Sequence, residues 1–144
     1  MRLTLIVCVL VTALVALAAC GDDDDSDGNT GDPRISQIGG VAELATYAYA
    51  ATEGEGLLDY VSSDIAENCT QDEVTEALAD EPVPTGFRTM KDVKFDGEDR
   101  ATATVVLITE DGDKEVEWSF VREGEDSWRI KEIPGLSEED CSAS

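Results

Sequence analysis

The sequence predicts an α+β domain in which N-terminal helices pack on a curved antiparallel meander sheet. Two observations carry this. Over residues 36–80 the apolar positions recur at helical spacing, and beyond Gly86 the spacing drops to two. Helices gathered ahead of hairpin-linked strands belong to α+β architecture, since a parallel sheet would need helices between its strands.

Each element has its own signature. Ile38, Val41, Ala45, Ala48 and Tyr49 fall on one helical stripe, and Leu57, Val61 and Ile65 recur every fourth residue. Thr70-Gln71-Asp72-Glu73 reads as a capping box: the Thr70 hydroxyl accepts from the Glu73 amide while the Glu73 carboxylate reaches back. The helix that follows is expected to run to about Asp80, where Pro82 and Pro84 end it. Phe87, Thr89, Lys91, Val93 and Phe95 then alternate with Arg88, Met90, Asp92 and Lys94, up to a turn at Asp96-Gly97. Residues 100–110 are rich in Thr, Val and Ile with apolar side chains on both faces, as for a central strand. Asp111-Gly112 signals the next turn. Val116, Trp118 and Phe120 alternate with Glu115, Glu117 and Ser119, and Trp128 and Ile130 continue on a last strand that stops by Pro134. Residues 136–144 show no periodicity and read as an unstructured tail. Residues 34–144 suffice for one domain with a single core, in which a curved sheet wrapped by helices would bury Trp118, Phe120 and Trp128.

The N-terminus carries a different kind of information. Arg2 precedes an uncharged apolar run over residues 3–19, the layout of a secretory signal. A retained transmembrane helix is the alternative, but the run is at the short limit for a bilayer, which takes about 20 residues. Acids follow it rather than a positive stop-transfer flank. Leu17-Ala18-Ala19-Cys20 resembles the lipobox of bacterial lipoproteins. That resemblance implies cleavage before Cys20, a diacylglycerol on its thiol, and a lipid-anchored protein on the extracytoplasmic side of the cell membrane. Two acyl chains give slow release, since each buried methylene contributes about 0.8 kcal/mol. A disulfide-forming thiol is the other reading of Cys20.

Charge narrows the partners. The chain holds 33 acidic and 10 basic residues, and no histidine. Six of the acids lie within residues 21–33, so residues 34–144 hold 27 acids against nine bases, an excess of 18. Such a domain is unsuited to nucleic acid, whose phosphates need clustered Lys and Arg. Residues 20–33 have the composition of a flexible acidic tether, reaching about 20 Å and extended further by self-repulsion. Asp23, Asp25, Asp27 and Gly28 match the first half of an EF-hand loop, but Arg34 stands where the bidentate Glu is needed. A solvated tether is the better reading, and no metal or other cofactor is expected.

Four cysteines remain to be placed. Cys8 leaves with the signal and Cys20 is acylated, so Cys69 and Cys141 form an even pair in an oxidising compartment. A disulfide between them would contribute about 4 kcal/mol; two free thiols are the alternative.

Ala45-Thr46-Tyr47-Ala48-Tyr49-Ala50, the turn to Leu57-Leu58-Asp59, and the closing Trp128-Arg129-Ile130-Lys131-Glu132-Ile133 together resemble the nuclear transport factor 2-like superfamily. The resemblance implies a cone-shaped sheet around a cavity, in a superfamily that contains enzymes, ligand carriers and association domains. Its enzymes often use an Asp–His pair, which a chain without histidine cannot supply. Asp59, Asp64 and Glu117 are the conceivable acid–base carboxylates for a hydrolase or isomerase, though no spacing singles them out. Tyr47, Tyr49, Tyr60, Phe87, Trp118 and Trp128 are the candidate pocket lining, with core packing as their other role. The expectation is a non-enzymatic envelope lipoprotein that binds a partner protein. A carrier of a small apolar ligand is the alternative.

Overall fold

The computed structural model describes residues 31–141. The signal segment, Cys20, the EF-hand-like acids and residues 142–144 lie outside them. The domain opens on α1 (Pro33–Thr52), for which Asp32 is the N-cap and Pro33 supplies the preset φ of a first helical turn. The Asp32 carboxylate accepts from the Arg34 amide at 3.0 Å. Ile38, Ala42, Ala45, Thr46 and Tyr49 form its buried face.

α1 ends on two successive left-handed residues, Glu53 (φ 54°) and Gly54 (φ 110°), which turn the chain back along the helix. Here Gly56 is required by space. A Cβ on it would lie 3.0 Å from the Ala48 Cβ and 3.1 Å from the Ala48 carbonyl oxygen. The Thr52 hydroxyl secures the turn by donating to Ala48 and accepting from the Gly56 amide, each at 2.7 Å.

Leu57, Val61 and Ile65 are all buried, yet they do not share a helix. Leu57 sits in a short 3-10 turn (Glu55–Asp59), and Ile65 in α2 (Ser63–Asn68). Val61 lies between them, bridged in parallel to Ile130. The Ser62 amide donates to Ile130 at 2.8 Å and the Ile130 amide donates to Tyr60 at 2.9 Å. Pairing with a sheet edge has displaced helical continuation, and it covers an edge that would otherwise expose unpaired backbone groups. The capping box forms as expected, the Thr70 amide donating to Glu73 at 2.7 Å. Its helix, α3 (Gln71–Ala77), stops three residues short of Asp80.

The sheet is a four-stranded antiparallel meander: β1 (Gly86–Asp96), β2 (Arg100–Thr109), β3 (Gly112–Arg122) and β4 (Trp128–Glu132). Its inner face is apolar. Ala101, Ala103, Val105 and Leu107 of β2 join Val116, Trp118, Phe120, Trp128 and Ile130 in one core with α1 and the short helices. Contacts of α1 with both β1 and β4 place the helix over this face.

In β1 the strict alternation expected from the sequence fails. Register shifts fall between Phe87 and Thr89 and between Lys91 and Lys94, with Asp92 at φ 52°. Each bulge adds a residue and flips the faces. Met90, expected opposite Phe87, therefore packs on the core beside Phe87, Val93 and Phe95, while Arg88, Lys91 and Lys94 are exposed.

The C-terminal residues are structured, contrary to their lack of periodicity. Leu136 is 1 % exposed, Ile133 and Leu136 bridge each other, and α4 (Glu138–Cys141) follows. A disulfide joins Cys69 at the end of α2 to Cys141, with their Cα atoms 5.1 Å apart.

Candidate functional site

The six aromatic residues expected to line a cavity do not meet around one. Trp118, Trp128 and Tyr49 are buried in the core. Phe87 and Tyr60 are half-buried against it, and Tyr47 is 50 % exposed on the far side of α1. Of the six, Tyr49 and Trp118 share a crevice among the described residues. It measures about 20 Å³, and the Lys114–Glu81 ion pair (3.0 Å) stands among its walls. The large side chains on the sheet's inner face and α1 above them fill the space a cavity would need. Asp59, Asp64 and Glu117 are exposed and stand on three different elements: the 3-10 turn, α2 and the outer face of β3. None of them lines a described cavity.

The outer face of the sheet is organised by charge, and the β1 bulges are the cause. Arg88 pairs with Asp113 at 3.0 Å and Lys91 with Glu115 at 2.6 Å, both reaching from β1 over β2 to β3. Val106 lies on β2 between these crossings and is only 6 % exposed, although it is absent from the core cluster. Cationic stems of this length can shield an apolar neighbour while their charged heads stay in water. The Glu115 hydrogen bond is the main reason the Lys91 ammonium is held above its ordinary pKa.

One row further along, the pattern changes. β3 presents Asp113, Glu115 and Glu117 in alternation, and the next residue of that series is Ser119. Lys94, Thr102, Ser119 and Glu132 form a row across all four strands. A trench of about 250 Å³ runs along it, lined also by Asp96, Arg100 and Lys131. Lys131 is the extra residue of a third bulge, where β4 shifts register against Ser119 and Phe120.

The basic side chains divide accordingly. Arg34, Arg88, Lys91 and Lys114 hold carboxylates. Arg122 and Arg129 donate to the carbonyls of Glu125 and Asp59. Lys94, Arg100 and Lys131 have no protein partner among the described residues, and all three line the trench. Sequence reasoning missed this group because the pairing that isolates it depends on register. The only linear trace is the break from acid to serine at Ser119.

A second surface stands out for lack of charge. α1 has only Arg34 and Glu43 as charged residues along its length, in a chain that is 30 % charged. On its outward side Leu44 is 55 % and Tyr47 50 % exposed, neighbours at i and i+3. Gly40 and Ala51 extend this face.

Among the described residues no helix is long and apolar enough to cross a membrane, and no three metal-ligating side chains are grouped. No protein-family model matches this chain, and no curated protein matches it.

Proposed function

We propose that this is a lipid-anchored protein of the cell envelope whose domain associates non-catalytically with another protein through the outward face of α1. The observation that carries the reading is the exposed pair Leu44 and Tyr47 on a helix face whose one charged residue is Glu43. Tyrosine is enriched at interface centres, where it fills a pocket and its hydroxyl bonds at the margin. The domain as a whole is strongly acidic, so the complementary partner has an apolar centre and a basic rim. The anchor rests on the lipobox resemblance at Cys20. The helix-then-meander order and the contacts of α1 with both sheet edges support the nuclear-transport-factor-2-like cone.

The carrier alternative has weaker support. Pockets that enclose small molecules occupy some 300 Å³ or more; the crevice beside Tyr49 falls far below this, and the open groove of about 530 Å³ over residues 82–85 and 109–111 is lined by none of the six candidate aromatics.

A photo-crosslinking residue at position 47 of the full chain, activated in the native envelope, tests the proposal. The expected result is one discrete protein adduct that Leu44→Ser abolishes while the melting temperature stays unchanged. Adducts only to lipid, only to a second copy, or to nothing overturn it.

A further inference from the structure

We propose that the trench is occupied by the acidic segment of this same chain, residues 22–27. The segment carries five carboxylates in six residues, and the trench collects the three cations that the domain leaves unpaired. Asp96 and Glu132 also line the trench and offset part of that charge, so the contact is weak and salt-sensitive. At physiological ionic strength the screening length is about 8 Å, so the domain's more distant acids weigh little against Lys94, Arg100 and Lys131.

Where the chain joins the domain decides the occupant. Arg34 donates to the Gly97 carbonyl at 3.3 Å, and its guanidinium stacks 3.8 Å from the centroid of Phe95. Asp32 is therefore held at the tip of the β1–β2 hairpin, whose residues Phe95, Asp96 and Arg100 border the trench. From Asp32 back to Asp27 the chain can span about 17 Å. The row across four strands measures roughly 14 Å. Residues 22–27 span about 17 Å more, so the acids can lie along the whole trench without displacing α1.

Attachment supplies the rest. A segment tethered this closely acts at an effective concentration in the mM range, which weak, screened charge pairing needs. A loose anionic partner has no such advantage, and a membrane surface would have to approach past the same acids. The proposal holds whether or not Cys20 is acylated. If it is, occupancy of the trench sets how far the domain stands from its anchor.

Zero-length carbodiimide coupling of the full chain tests this, using a mixture of light and heavy isotope-labelled protein. The expected product joins Lys94 or Lys131 to a carboxylate within residues 22–27 of the same chain. Acetylation of Lys94 and Lys131 should also speed up severalfold when Asp22, Asp23, Asp24, Asp25 and Asp27 are all changed to Asn, and 0.5 M salt should have the same effect on the unaltered chain, about where the screening length falls below 5 Å. These substitutions fall outside the described residues, and an unchanged melting temperature of the substituted chain checks that the domain's packing is intact. Links found only between light and heavy chains overturn the proposal in favour of a second copy. Acetylation rates indifferent to the substitutions overturn it outright. Protection of the lysines by anionic-lipid vesicles alone assigns the trench to the membrane instead.

Discussion

Tyr49 and Trp118 line the same crevice of about 20 Å³, and neither the Tyr49 hydroxyl nor Trp118 Nε1 has a hydrogen-bond partner among the described residues. The volume is about that of one water. Burial first, and the Glu81 carboxylate second, push the Tyr49 phenol above its ordinary pKa. In the unfolded chain the phenol ionises at its ordinary value, whereas the folded domain holds the proton. Stability from this group is thus intact below the unfolded pKa and lost as pH rises through the folded one. Tyr49→Phe should leave neutral-pH stability within about 1 kcal/mol, because no protein hydrogen bond is removed. It should also flatten the alkaline decline. Denaturant titrations at neutral and alkaline pH check both points; a large neutral-pH loss would show that the hydroxyl is bonded.

The Cys69–Cys141 disulfide and Leu136 make a joint prediction about the C-terminal residues. Reduction, or Cys69→Ser with Cys141→Ser, should cost about 4 kcal/mol for a closed loop of this length, read as a lower melting temperature. Leu136→Ala in the oxidised protein should cost a further 2–5 kcal/mol, roughly the range for a fully buried leucine. A near-neutral Leu136→Ala would mean the segment does not belong to the core.

Acylation at Cys20 predicts a clear change in fractionation. Cys20→Ser should leave the domain folded while the protein accumulates as uncleaved precursor or in the soluble fraction. Mass spectrometry of the N-terminal peptide reads the outcome directly. A normally processed, membrane-held Cys20→Ser protein would remove the anchor from the proposal.

Local chemistry was legible in the sequence, and long-range geometry was not. Thr70 and Glu73 cap α3 as read because a capping box needs only four consecutive residues. The alternation of Val116, Trp118 and Phe120 likewise survives, since β3 pairs with β2 without a register break. Met90 departs from the alternation because the bulge at Arg88 is set by pairing with β2, and nothing in residues 87–95 announces it. Val61 shows the same limit. Its fourfold spacing from Leu57 and Ile65 is helical, but the hydrogen-bonding edge of β4 claims the backbone on either side of it. The trench lay deepest, since Lys94 and Lys131 are unremarkable until four strands are aligned.

The disulfide has a mechanical consequence. It closes a covalent ring over residues 69–141 that contains the whole sheet, and α1, the 3-10 turn and α2 lie ahead of it. A pull arriving through the N-terminus is therefore borne first by the packing of α1 on β1 and β4. Residues 33–68 can pay out as thread, to an extension of roughly 120 Å, and the ring then stops it. With the chain anchored at Cys20 as proposed, force would peel away the helix that carries Leu44 and Tyr47 while the sheet stayed folded behind its bond.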